Sequence, residues 1–181
     1  MYKQWVIPDI HGCAKTLRAL IENQIRPSKH DWLYFLGDYI DRGPDSRGVI
    51  DYLRHLQKEE YNLRLLRGNH EDTCIQAFEE KKQSLIFLSR RSVLSEWKNF
   101  GGKDTLKSFG VKKPADIPKD YIQWMKDLEY YIELDNFLIV HAGFNFGIDN
   151  PFEDSQSMLW TRDFIPDKDK LKGKIVIHGH V

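Results

Sequence analysis

Five short stretches of the chain concentrate groups that can hold metal ions or move protons. They are Pro8-Asp9-Ile10-His11-Gly12, Gly37-Asp38-Tyr39-Ile40-Asp41-Arg42-Gly43, Arg67-Gly68-Asn69-His70-Glu71, His141-Ala142-Gly143 and His178-Gly179-His180. Each has an ordinary explanation when taken singly. An Asp ahead of a helix is commonly an N-cap, so Asp9 or Asp45 could be caps. Gly-Asn reads first as a turn, and a lone His after a strand is commonly a loop residue. Their shared address sets them apart: each follows directly on a short apolar run, and no run ends in Lys or Ser.

Mixed His, Asp and Asn donors suit Mn, Fe, Zn or Co better than a purely oxygen-seeking Ca site. Asp9 and His11 stand two apart, so an extended backbone would point both to one face. Asp38 has two carboxylate oxygens and could bridge two ions, while Asn69 adds a neutral oxygen that limits the accumulated negative charge. Two cations about 3.5–4 Å apart lower the pKa of a bridging water and stabilise in-line displacement at phosphorus.

The apolar runs that must position these groups are "WVI" at 5–7, "LYFL" at 33–36, "LRLL" at 63–66, "FLIV" at 137–140 and "IVI" at 175–177. Their shortness and polar or glycine borders predict buried strands. Leu17, Leu20 and Ile21, then Val49, Ile50, Leu53 and Leu56, follow helical spacing between the first pairs. Alternating strands and helices imply an α/β fold with a mixed or parallel sheet. In such sheets ligands bind beyond the carboxyl ends of the strands, where these five stretches stand. From about 72 to 135 no clear strand is evident, and "CIQAFEE", "SVLSEWKNF" and "DYIQWMKDLEYY" predict a helical insertion packed beside the sheet.

Taken in order, "DIHG", "GDYIDRG", "RGNHE", "HAG" and "HGH" resemble the successive motifs of the PPP-type metallophosphatases within the calcineurin-like phosphoesterases. "WKNFGGKDTLKSFG" is also similar to the stretch that follows GNHE in bacterial members. Pro8 departs from the glycine that many relatives carry there but leaves the ligand-bearing residues unchanged. The resemblance implies a calcineurin-like fold, a mixed β-sheet sandwich flanked by helices. It also implies two divalent metal ions, Mn foremost, with Fe, Zn, Co or Ni possible.

By motif, Asp9 and His11 would bind the first metal, Asp38 would bridge, and Asn69, His141 and a histidine of "HGH" would bind the second. By alternation His178 and His180 point the same way; the family's Gly-His pattern favours His180. His70 would be the general acid, oriented by Asp41, and Arg42 and Arg162 would clamp phosphate oxygens. Direct attack by a metal-bridging hydroxide needs no covalent nucleophile, so Cys13 and Cys74 are expected bystanders.

Composition bounds the reading. The 181 residues suit a single domain spanning 1–181. Lys+Arg and Asp+Glu are equal at 27 each, so no global basic field holds a nucleic acid, and the doublets Lys81-Lys82, Arg90-Arg91 and Lys112-Lys113 read as solvated surface. No apolar run approaches a membrane span, Met1 leads into a strand rather than a leader, and two cysteines make no disulfide framework, which points to a reducing cytoplasm. The expected function is a phosphomonoesterase acting on phosphoserine or phosphothreonine, or on a small phosphoester. A symmetrical dinucleoside tetraphosphate hydrolase is the alternative, and a metal-binding scaffold without catalysis the remote one. Relatives continue past the Gly-His into further strands, so such strands are expected beyond Val181. If Val181 is the true terminus, His180 should be the weakest metal ligand.

Overall fold

The structure is a computed structural model that describes residues 2–80 and 92–180. The doublets Lys81-Lys82 and Arg90-Arg91, part of the expected helical insertion, and the Val181 terminus lie outside the described residues.

The first sheet contains β1 (Gln4–Ile7), β2 (Trp32–Phe35) and β3 (Asn62–Leu65), paired in parallel in that order. Helix α1 (Ala14–Ala19), continued by π-helical turns over Leu20–Ile25, connects the first two strands, and α2 (Ser46–Lys58) connects the next two. Asp45 caps α2 by accepting the Gly48 N–H at 2.9 Å, so this Asp takes the capping role. Period-two alternation along β2 decides what each face buries. Leu33 and Phe35 face the helices with Val49, Ile50 and Leu53, whereas Tyr34 and Leu36 face a second sheet with Leu66, Ile132 and Ile139.

That second sheet consists of β4 (Tyr131–Glu133), β5 (Phe137–Val140) and β6 (Ile175–Ile177), antiparallel then parallel. Ile132, Ile139 and Ile177 face the first sheet, while Leu138, Val140 and Val176 pack outward with Phe144, Met158 and Leu171. This is the mixed sandwich flanked by helices.

β4 corrects the expectation of an unbroken helical stretch from about 72 to 135. The helical pattern of "DYIQWMKDLEYY" runs on into the strand's first tyrosine, but α6 (Lys119–Lys126) stops before it. The chain then bridges to β3 through Leu66 and Glu129 and enters the strand. The remaining helices of this stretch are α3 (Asn69–Glu79), α4 (Val93–Trp97) and α5 (Lys103–Phe109), and α7 (Ser155–Trp160) follows β5. Trp97, Leu106, Tyr121, Ile122 and Met125 join the same core as the helix-facing side of β1–β3. The stretch therefore completes the core as well as standing beside the sheet.

Candidate functional site

The turns after β1, β2, β3, β5 and β6 converge at one end of the sandwich, and Asp38 lies at the centre. Its Oδ1 accepts the His70 N–H at 3.1 Å, at the start of α3. This fixes the carboxylate and leaves Oδ2 facing imidazoles: 3.6 Å from His11 Nε2, 3.6 Å from His141 Nε2 and 4.0 Å from His70 Nε2. His11, Asp38 and His70 offer donor atoms within 4.8 Å of one another, and Asp38, His141 and His180 do the same. Asp38 is common to both groups.

Two backbone carbonyls set the imidazole tautomers. Ile40 O lies 3.1 Å from His11 Nδ1, and Leu36 O lies 2.7 Å from His141 Nδ1. Each Nδ1–H donates outward and each Nε2 lone pair is turned inward, as metal-ligating histidines require. His141 Nε2 is also 3.0 Å from Asn69 Oδ1 and 3.1 Å from His180 Nδ1. Burial, above all, lowers the pKa of His11 and His141, and with the His141 imidazole it pushes His180 down to about 4. Burial also raises Asp38 to about 7, with the Asp9 charge adding to it.

Asp9 stands beside Gly179, next to His180, and belongs to neither of these two donor groups. It caps no helix, since α1 begins at Ala14 and Cys13 precedes it. Its Oδ1 lies so close to Gly179 that a Cβ at 179 would approach it to 2.8 Å, and its charge acts on His11, His141 and His180. Asp9 Oδ1 and His180 Nε2 are two of the four buried side-chain polar atoms that lack a hydrogen-bond partner among the described residues. Such atoms are costly to bury unless something ligates them. A carboxylate oxygen and an imidazole nitrogen, orphaned beside a shared carboxylate, fit divalent cations.

Asp9 and His11 do not arrive by the expected strand alternation. β1 ends at Ile7, and His11 turns in with φ +44°. Asp38, Asp41, Arg42 and His180 also have positive φ, from +51° to +69°, so unusual backbone concentrates here. Alternation also fails at "HGH". His178 is exposed and packs on Phe164 at 5.3 Å between ring centroids, while the left-handed turn at His180 (φ +62°) aims that ring inward.

His70 is buried and its Nδ1 lies 2.7 Å from Asp41 Oδ2. Burial alone would lower its pKa, but the hydrogen bond to Asp41 and the charges of Asp38 and Asp41 outweigh it and raise the imidazole. Exposed Arg42 donates to His11 Nε2 at 3.0 Å and to His70 Nε2 at 3.1 Å. Arg162 is also exposed, and its charge acts on His180. Half-buried Phe100 and Trp160 stand beside the cluster, their centroids 6.1 Å apart; Phe100 neighbours His70 at 6.2 Å and Trp160 neighbours His180 at 6.3 Å. Cys74 is buried and Cys13 exposed, and neither is disulfide-bonded.

Sequence reasoning assigned Glu71 no role. Its carboxylate accepts four backbone N–H groups: Asp38 at 2.9 Å, Tyr39 at 2.8 Å, Ile40 at 3.2 Å and Gly68 at 2.9 Å. It thereby fastens the turn carrying Asp38 to the start of α3. Burial, with the Asp38 charge behind it, raises Glu71 to about 7. The Gly68 contact is half of a capping box, so a Glu at the third helical position was the available signal.

A sandwich whose strand ends deliver Asp, His and Asn around a shared carboxylate defines the architecture of the metallophosphoesterases. The calcineurin-like phosphoesterase family profile matches residues 2–181, and the chain belongs to that family. It is 36% identical over 96 residues to the symmetrical bis(5'-nucleosyl)-tetraphosphatase of Buchnera aphidicola subsp. Schizaphis graminum, a match covering 50% of this chain and 34% of that one. It is 38% identical over 84 residues to serine/threonine-protein phosphatase 1 of Salmonella typhimurium, covering 46% and 36%. The matched segments thus span about a third of these curated relatives. The fold matches a protein serine/threonine phosphatase from Saccharomyces cerevisiae with TM-score 0.56 at 17% identity, over 88% of this chain and 52% of that one.

Proposed function

We propose that the chain carries the catalytic centre of a dimetal phosphoric ester hydrolase, acting on phosphomonoesters of the phosphoserine or phosphothreonine type. The observation that carries this reading is Asp38 Oδ2, 3.6 Å from both His11 Nε2 and His141 Nε2. Asp9, His11 and Asp38 would hold one divalent cation, and Asp38, Asn69, His141 and His180 the other, with manganese the expected ion. When bound, the cations supply an activated water and neutralise phosphate charge. Arg42 and Arg162 hold phosphate oxygens, orienting phosphorus for in-line displacement. His70, once protonated at Nε2 as Arg42 turns from that nitrogen to the phosphate, gives the proton to the departing oxygen while Asp41 holds Nδ1.

A second reading, hydrolysis of a symmetrical dinucleoside tetraphosphate, is favoured by the Buchnera relative and by the Phe100 and Trp160 rings, on which a base could stack. No helix among the described residues is long and apolar enough to cross a membrane. Unpaired Cys13 and Cys74 suit the proposed cytoplasmic setting. The test compares turnover of a phosphoserine peptide, para-nitrophenyl phosphate and diadenosine tetraphosphate by the Mn²⁺-loaded chain. Strong preference for the last selects the second reading. Two bound ions with no turnover of any substrate would leave a metal-binding scaffold.

A further inference from the structure

Trp97 and Thr105, in the stretch "WKNFGGKDTLKSFG", lie on α4 and α5 outside the strand-end motifs. Both are fully buried, and both end on the carboxylate behind His70. Trp97 Nε1–H donates to Asp41 Oδ2 at 2.9 Å, the same oxygen that meets His70 Nδ1 at 2.7 Å. Thr105 Oγ1–H donates to Asp41 Oδ1 at 2.6 Å.

The hydroxyl geometry admits one consistent arrangement of protons. The Asp41 N–H donates to Thr105 Oγ1 at 2.9 Å and to Ser46 Oγ at 3.1 Å, and the two hydroxyls are 3.0 Å apart. With the Thr105 proton committed to Asp41, Ser46 must donate to Thr105. The Asp41 side chain can then neither rotate nor shift without breaking bonds among buried groups, which is expensive.

The chain between Trp97 and Thr105 is shaped for this approach. The turns Lys98–Gly102 join α4 to α5, and the non-helical backbone at Gly101 kinks the path between Trp97 and Thr105. Gly101 has φ +115°, its carbonyl accepts the Arg42 N–H at 3.4 Å, and a Cβ there would come within 2.6 Å of Arg42 N. Only glycine lets the helical segment close over the Asp41–Arg42 turn.

We propose that Trp97 and Thr105 are positioning residues for proton donation to the leaving group, acting through Asp41 on the orientation of His70. The inference rests on the hydrolase reading above. A positioned acid matters most when the departing oxygen is strongly basic, so loosening it should discriminate between leaving groups. A merely structural role would lower every activity alike.

The test measures kcat and KM of Thr105→Val and Trp97→Phe on a phosphoserine peptide and on para-nitrophenyl phosphate, with metal content and thermal stability in parallel. The expected result is a loss of about tenfold or more in kcat for the alkyl ester, a much smaller loss for the aryl ester, an unchanged KM and full metal content. Thr105→Ser, which keeps the hydroxyl, should restore wild-type behaviour. Equal losses on both esters would overturn the proposal. Should Trp97→Phe fail to fold, the near-isosteric Thr105→Val decides alone.

Proton NMR of the full chain separates this proposal from the hydrolase reading. The His70 Nδ1 proton should be slowly exchanging in the wild type and fast in Thr105→Val, even if the wild type turns over no substrate. An equally protected proton in both would sink the positioning role while leaving the hydrolase reading intact.

Discussion

His70 and Asp41 meet Nδ1 to Oδ2 at 2.7 Å, both buried, and the other His70 nitrogen faces the Asp38 cluster at 4.0 Å. The ring is thus anchored through one nitrogen and presented through the other, the division of labour of a general acid with an orienting carboxylate. The same ring belongs to a donor group with His11 and Asp38, so it also stands where a ligand could. These two roles predict different phenotypes.

His70→Asn is expected to slow turnover of a phosphoserine peptide by about a hundredfold or more, the usual contribution of a positioned proton donor. It should leave two metal ions per chain, because Asp9, His11, Asp38, Asn69, His141 and His180 all remain. Elemental analysis of the dialysed variant, run beside the kinetics, decides between the roles. Loss of an ion would make His70 a ligand and remove the acid assignment.

Glu71→Gln tests the device that fastens the Asp38 turn to α3. Oε1 accepts from Tyr39 and Ile40, and Oε2 from Asp38 and Gly68. A glutamine keeps one oxygen and sets its NH2 against two backbone donors inside a fully buried site. The expected destabilisation is at least about 2 kcal/mol, from buried N–H groups left unsatisfied. Urea unfolding measures it, and a midpoint equal to wild type would show that Glu71 is not needed to hold the turn.

The strand ends were legible because five apolar runs of three or four residues could be seen beside polar, glycine-rich stretches, and each run became a strand. β4 was hidden because its three residues bury only Ile132 and sit in a tyrosine-rich stretch that continues a helical pattern. Candidate ligands could be named from residue type and order, and the structure gathers them at one end of the sandwich. The way they are presented could not, since His11 and His180 turn inward through left-handed backbone that strand alternation does not foresee. The contacts that Trp97 and Thr105 make to Asp41 span 56 and 64 residues of sequence. No local pattern encodes a pairing that only the packing of α4 and α5 against the β2 turn creates.

The depressed His180 pKa predicts a pH dependence of stability in the metal-free chain. In the folded state the imidazole stays neutral down to about 4, against the ordinary 6.5 of a free histidine, chiefly because burial penalises its charge. Between these values the unfolded chain holds a proton at this position that the folded chain does not. Unfolding therefore takes up a proton, and stability falls as pH drops through that window while remaining intact above it. Thermal unfolding in chelator at about pH 7.5 and about pH 5 should show a larger loss for wild type than for His180→Ala. Parallel losses would mean that the ring is not held neutral in the fold.

Metal stoichiometry tests the shared carboxylate most directly. Asp38 Oδ1 is occupied by the His70 N–H, and Oδ2 faces His11 on one side and His141 on the other, each at 3.6 Å. Asp38→Asn exchanges a charged carboxylate for a neutral amide, so on the bridging assignment it should weaken both ions together. His180→Ala removes a donor from the His141 side only and should weaken one ion, leaving the ion beside His11 in place. Dialysis of Mn²⁺-loaded protein followed by elemental analysis should give two ions per chain for wild type, one for His180→Ala and none for Asp38→Asn. If Asp38→Asn kept one tightly held ion, the carboxylate would serve a single metal and the bridging assignment would fall.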